Sequence, residues 1–174
     1  MKESAAREAS LFQLIKEDWI AHGKDWTKPG FRAVAIYRFG VWRMAIRLPM
    51  LRIPCSVLYR MAFRYVRNVY GIELPYSVRL GRRVVFEHQH GIVIHGRATI
   101  GDDCIIRQGV TIGNRYLAKP DEAPVLESRV NVGAGAKILG NLIIGQDASI
   151  GANAVVLQDV PPMATVVGNP AIIK

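Results

Sequence analysis

The sequence predicts a mainly β chain, a prism-shaped column of three-sided coils preceded by a small α-helical region. Three observations predict it. Aliphatic residues return at every sixth position from about residue 74 onward, apolar residues before residue 70 recur instead at spacings of three and four, and glycine follows many of the sixth-position aliphatics. The change of period divides the chain into a helical region, 1–70, and a β domain, 71–174.

Three helices are expected in the first part. The first starts on a capping pair, Ser10 with Gln13, and runs to His22-Gly23. The second covers about 31–48, after the break at Pro29-Gly30, and the third starts near Pro54, a residue suited to a first helical turn. No acidic residue stands between Asp25 and Glu73, whereas Arg32, Arg38, Arg43, Arg47, Arg52, Arg60, Arg64 and Arg67 fill the gap. Arg60, Arg64 and Arg67 share one helical face. Such a stretch is either a solvated face whose Arg stems cover apolar neighbours or a surface held against anionic lipid headgroups. No nucleic-acid reader motif accompanies the charge, so nucleic acid is not an expected partner.

In the second part the clean frame is Leu126, Val132, Ile138, Ile144, Ile150 and Val156, with Val130, Ala136, Leu142, Ala148, Ala154 and Val160 four residues after each. Upstream the frame holds for Ile94, Ile100, Ile106 and Ile112, and an earlier one for Leu74, Leu80 and Phe86. A short flat strand sends one aliphatic side chain inward, and a turn with a small residue redirects the chain. Three such faces close one coil, and about five coils bury a core against one another. Gly101, Gly113, Gly133, Gly145 and Gly151 are expected at corners of unusual backbone dihedral. Two breaks in register, Phe86 to Ile94 and Ile112 to Leu126, require residues to leave the column, and the segment 114–125 is the expected projecting loop.

Composition narrows the class. Half of the 174 residues are apolar and 21% are charged, which excludes disorder, and 23 Lys and Arg against 14 Asp and Glu leave a net charge of +9 that favours anionic partners. Cys55 and Cys104 make neither a disulfide framework nor a zinc motif. The N-terminal residues carry charges of both signs without an apolar run, so the expected location is the cytoplasm, with peripheral contact at the inner membrane face as the alternative.

With the segments FEHQHGIVIHGRATIGDD, VTIG, VGAGAKILGNLIIG, IGANAVVLQDVPP and VVGNPA, the chain resembles the hexapeptide-repeat acyltransferases, and most of all the pattern of serine acetyltransferases. The resemblance runs from Gly71 to Ala171 and continues into GFRAVAIYRFGVW. It implies a left-handed parallel β-helix, association of three chains, and acetyl-CoA in a groove between neighbouring columns.

Acetyl transfer to a hydroxyl requires a base at the hydroxyl, donors for the tetrahedral oxyanion and a slot for the pantetheine arm. The family's catalytic histidine stands three residues before a glycine, which here implies His88 ahead of Gly91. The carboxylate that orients its imidazole is by position Glu73, where the family has aspartate; the same exchange occurs at Glu87, a candidate for acceptor binding. His90 and Asp18 are further acceptor-pocket candidates. His90 and His95 have a spacing similar to that of β-helical carbonic anhydrases, but His22 is the sole upstream histidine, so no metal is expected. For acetyl-CoA the matching positions are Gly113, Asn114, Ala134 and Ala152, with Gly168, Asn169 and Pro170 at the closing turn, and Lys137 and Lys174 as cations for its phosphates.

In serine acetyltransferases an Arg-His pair before proline on the loop holds the amino acid's carboxylate. Here Glu122-Ala123-Pro124 stands there, and a glutamate repels a carboxylate. The expected function is therefore O-acetylation of a sugar hydroxyl in cell-surface polysaccharide biosynthesis, with serine O-acetylation, as in cysteine biosynthesis, as the alternative. The helical region is short, so a homotrimer is expected rather than a hexamer.

Overall fold

An inward aliphatic at every sixth residue gives a column whose three faces are stacked ladders of two- and three-residue strands. The computed structural model describes residues 9–173. Sheet I stacks Ile72–Glu73, Ile92–Ile94, Thr111–Gly113, Lys137–Leu139 and Val155–Val156; sheet II stacks Arg79–Leu80, Thr99–Ile100, Val125–Leu126 and Ile143–Ile144. Sheet III stacks Val85–Glu87, Ile105–Arg107, Asn131–Val132, Ser149–Ile150 and Thr165–Val167, and ends on the antiparallel Ile172–Ile173. All other pairings are parallel between successive coils, which makes a β-solenoid of about five turns.

The rungs explain the breaks in the hexad frame. Leu126 stacks on Ile144 and Ile138 on Val156, eighteen residues apart, one coil of three hexads. Phe86 stacks on Ile106 across twenty residues, so two extra residues leave the column between sheets III and I, at His88–Gly91. Ile112 stacks on Ile138 across twenty-six, so eight extra residues leave in the loop after Gly113. The inward positions form one continuous core. Ile72, Ile94, Ile106, Ile112, Ile138 and Ile144 are all inaccessible, with Ala98, Cys104, Val110, Ala136 and Ala148 as smaller fillers.

The expectation that Gly101, Gly113, Gly133, Gly145 and Gly151 supply unusual corner dihedrals is corrected. None has a positive φ; a Cβ on Gly101 would lie 2.6 Å from the Glu127 carbonyl carbon, and one on Gly145 2.4 Å from Pro162 N, so Gly101, Gly133, Gly145 and Gly151 let successive coils approach, whereas Gly113 has room for a Cβ. The left-handed corner between sheets II and III is taken once per coil by Arg83, Asp103, Arg129, Asp147 and Met163, with φ between 56° and 62°. Side-chain pairing holds them, Arg83 to Asp103 at 2.7 Å and Arg129 to Asp147 at 2.6 Å.

The three helices are α1 (Leu11–Ala21), α2 (Pro29–Trp42) and α3 (Pro49–Tyr65). The Gln13 amide donates to Ser10 Oγ at 3.3 Å, as the cap requires, and α1 ends at His22 and Gly23. Expectations for α2 and α3 shift. α2 begins on Pro29 and gives way to a 3-10 turn, Arg43–Ala45; α3 begins on Pro49, which takes the first-turn role assigned to Pro54, and Pro54 lies inside the helix. A single π-helical turn, Val66–Tyr70, feeds the first strand.

α2 seats the helices on the column. Tyr37 Oη donates to the Val78 carbonyl at 2.7 Å and accepts from the Leu80 amide at 3.2 Å. Arg38 donates to the Leu80 and Gly81 carbonyls at 3.1 and 2.5 Å. A Cβ on Gly30 would fall 2.0 Å from the Phe86 carbonyl oxygen, so the start of α2 rests directly on the strand that precedes His88.

Candidate active site

The corner from sheet III to sheet I gathers most of the anticipated residues. In the first coil it holds His88–Gly91, in later coils Ala134, then Ala152, and at the end Gly168, Asn169 and Pro170. Gly91, Gly109 and Gly135 stack here with φ of 72°, 72° and 73°; a Cβ on Gly91 would lie 3.3 Å from Gly109 Cα, and one on Gly109 3.2 Å from Gly135 Cα. Four rung spacings separate the first strand of sheet III from its fifth, which gives a small-residue edge about 19 Å long, suited to a long, thin ligand.

His88 and His90 both adopt left-handed backbone, φ 65° and 74°, in the two-residue excursion. That conformation is uncommon away from glycine and turns the exposed His88 out of the ladder. The His90 amide donates to the Tyr70 carbonyl at 2.8 Å, its carbonyl accepts from Gly109 N at 2.9 Å, and its ring packs over Gly71, so His90 ties the excursion to both neighbouring segments.

A cavity of about 420 Å³ opens between this excursion and the helices. Glu87, His88 and Gln89 line one side; His22, Lys28 and Gly30, from the end of α1 and the start of α2, line the other. His22 is buried, with Nδ1–H donating to the Asp18 carbonyl at 2.7 Å and Nε2 accepting from the Phe86 amide at 3.3 Å. Burial holds its pKa below the ordinary value, so the ring is a neutral structural link. Lys28 is exposed at the N-cap of α2 and, among the described residues, makes no ion pair. Neither Lys28 nor His22 is marked by the sequence as lining this site. The only signal was the turn Lys28-Pro29-Gly30, and Gly30's contact with Phe86 is what brings that turn to His88.

Other expected positions are not brought together. Glu73 lies on sheet I in register with Val93, and among the described residues no hydrogen bond joins it to His88. Glu87 is paired with Arg107 across one rung, Nε to Oε2 3.0 Å, which neutralises it in place. Asp18, an expected acceptor-pocket residue, lies instead within the contact of α1 with α2 and the column. It is fully buried, and its oxygens accept from Arg38 Nε at 2.8 Å, Arg38 Nη2 at 3.3 Å and the Arg83 amide at 3.2 Å, so its capacity is used in joining α1, α2 and the column.

Gly113 and Asn114 stand at the corner from sheet I to sheet II, where His95 packs over Gly113 at 3.7 Å from an added Cβ. Asn114 Nδ2 donates to the Tyr116 carbonyl at 2.9 Å and starts the loop. Glu122 in that loop is paired with Lys119 at 2.9 Å, and Ala123 is buried. The repulsion expected of Glu122 is thus offset by its own neighbour. Lys137 Nζ donates to the Gly109 carbonyl and the Thr111 hydroxyl, which ties down a cation anticipated for phosphates; Lys174 lies outside the described residues. Among the described residues no three His, Cys, Asp or Glu side chains converge as a cation site. Cys104 is buried, its thiol pushed up to about 11 by desolvation, and Cys55 is also free.

No protein-family model matches the chain. Among individual proteins it is 42% identical over 142 residues to a serine acetyltransferase of Synechococcus elongatus, covering 82% of this chain and 55% of that one. To a serine acetyltransferase of Helicobacter pylori it is 39% identical over 166 residues, covering 93% of this chain and 92% of that one. The chain therefore spans little more than half of the longer relative and nearly all of the shorter. Among solved structures, soybean serine acetyltransferase complexed with serine superposes with a TM-score of 0.80 at 32% identity, over 95% of this chain and 70% of that one. Serine acetyltransferase of Brucella abortus in complex with coenzyme A gives 0.76 at 28% identity, over 92% and 66%.

Proposed function

The chain belongs to the serine acetyltransferase family, and from that membership we propose that it transfers the acetyl group of acetyl-CoA to the hydroxyl of L-serine, with His88 as general base. The carrying observation is the joint position of His88: one end of the small-residue corner and the wall of the cavity that Lys28 also lines. Thioester donor and small acceptor then meet at one imidazole. His88 accepts the hydroxyl proton as the oxygen attacks the thioester carbon, and returns it to the departing sulfur. Gly109 N and Gly135 N already donate to the His90 and Gln108 carbonyls, so the donors for the tetrahedral oxyanion fall to the remaining small-corner amides, Gly91, Ala134 and Ala152. Lys28 receives the acceptor's carboxylate, a duty the family gives to the Arg-His pair missing here.

The acceptor order read from the loop, sugar before serine, is reversed for two reasons. The relatives and structures compared are serine acetyltransferases, and Glu122 is neutralised by Lys119. One observation keeps a sugar hydroxyl as the second reading: Glu122-Ala123 offers no carboxylate clamp from the loop. A homotrimer belongs to this proposal, because a neighbouring column supplies the second wall of the donor groove. The test is thiol release from acetyl-CoA with L-serine, against hexoses and oligosaccharide repeats. Turnover with serine alone supports the first reading, turnover with sugars alone supports the second, and turnover with neither overturns both.

A further inference from the structure

The face of α3 that points away from the column is apolar, which is the reverse of a solvated helix surface. Tyr59 and Val66 pack inward, 4% and 3% exposed. On the opposite side Met50, Ile53, Val57, Leu58 and Met61 follow one another at helical spacing, and Met50 is 88% exposed, Ile53 and Met61 63%. Pro54, on the same stripe, removes one helical amide and leaves the Met50 carbonyl without its usual partner.

Charge on this part of the molecule is one-sided. Residues 26–72 hold nine basic side chains and no acidic one, whereas the rest of the chain holds fourteen of each, so the whole net charge of +9 resides here. Two of the nine are committed inward: Arg38 to Asp18, and Arg43 between the rings of Tyr59 and Tyr76 at 4.4 and 4.6 Å. Arg47, Arg52, Arg60, Arg64 and Arg67 remain exposed along α3 and its ends. Arg47, Arg52 and Arg60 line one notch together with Ser56; Arg60 borders the apolar stripe, and Arg64, one turn on, sits at the stripe's C-terminal end.

We propose that α3 docks on an anionic lipid surface, its apolar stripe lying among the acyl chains near the headgroups and its arginines meeting lipid phosphates. The geometry matches a helix lying in the interface plane: seventeen residues, apolar on the outer face, with guanidinium groups on stems long enough to reach phosphate depth. Among the described residues no helix is long and apolar enough to cross a membrane, so contact is with one leaflet. This face is a poor partner for itself, because an isologous contact sets five arginines against five with no carboxylate between residues 26 and 72 to separate them; a heterologous contact within a trimer is read by the particle mass below. The proposal goes beyond the reaction and is tested without turnover.

The experiment is flotation of the full chain with vesicles of phosphatidylglycerol and phosphatidylethanolamine, beside vesicles of phosphatidylcholine alone, with particle mass measured by light scattering. Binding is expected to the anionic vesicles, weakened by salt and not by inorganic phosphate at the same ionic strength. Arg60→Gln with Arg64→Gln should lower the partition coefficient about twenty-fivefold, from about fivefold for each arginine near such a surface. Leu58→Gln with Met61→Gln should lower it at unchanged charge, with far-UV circular dichroism and particle mass as in the parent. Equal binding to both vesicle types, no binding to either, or a changed particle mass in the Leu58/Met61 variant would overturn lipid docking, the last by marking the stripe as a contact between subunits.

Discussion

Replacing Arg38 by methionine keeps most of the side chain's apolar stem and removes the one cation that, among the described residues, is paired with a carboxylate that has no access to water. Asp18 would then keep one donor, the Arg83 amide at 3.2 Å, and the Leu80 and Gly81 carbonyls would lose theirs. Breaking a buried pair from one side costs about 3–5 kcal/mol. For a chain of this size that is a fall in Tm of roughly 6–20 °C. Removing both charges, Arg38→Met with Asp18→Leu, should regain about half, because the two carbonyls still lack donors at about 1 kcal/mol each. Thermal and urea unfolding followed by circular dichroism measure both variants. A loss under about 1 kcal/mol in the single variant, the size expected of a surface pair, would refute the buried link. So would Asp18→Asn raising the acceptor KM about tenfold or more at unchanged stability, which would return Asp18 to the acceptor pocket.

Four further outcomes are expected. His88→Ala should lower kcat by about two to four decades, as for loss of a general base, with the unfolding curve unchanged. Lys28→Ala should raise KM for L-serine at least about tenfold and leave KM for serinol, which lacks the carboxylate, within about twofold; an equal rise for both would remove Lys28 from acceptor recognition. Ile138→Ala should cost about 2–5 kcal/mol in urea unfolding, since the residue is inaccessible and stacked between Ile112 and Val156. His22 has a folded pKa below its ordinary 6.5, so the unfolded chain binds the extra proton. Its contribution is complete above about pH 6.5 and is lost as pH falls from there toward the depressed folded value, and His22→Gln should flatten that part of the stability profile.

The column was legible because its code is local. One inward aliphatic per hexad is satisfied by the rung above and the rung below, so Leu126 to Val156 could be placed without knowing anything distant. The breaks were legible for the same reason, and the excess of two at His88–Gly91 and of eight after Gly113 appears in the rungs as twenty and twenty-six residues per coil. What stayed hidden was tertiary. Gly101 and Gly145 look like turn glycines until the next coil is seen against them, and Asp18 looks like a free carboxylate until Arg38 arrives from another helix. Lys28 reaches the site through the contact of Gly30 with Phe86, which no spacing in the chain announces. The repulsion expected of Glu122 was overstated because its partner Lys119 stands three residues before it, while the loop's lack of an Arg-His clamp was plain in the sequence.

The loop that leaves after Gly113 interrupts neither neighbour: Ile100 still meets Leu126, and Ile112 still meets Ile138. A segment so inserted can be lengthened, shortened or exchanged while every stacked layer keeps its alignment. A foreign segment grafted there should therefore leave the unfolding transition of the column in place.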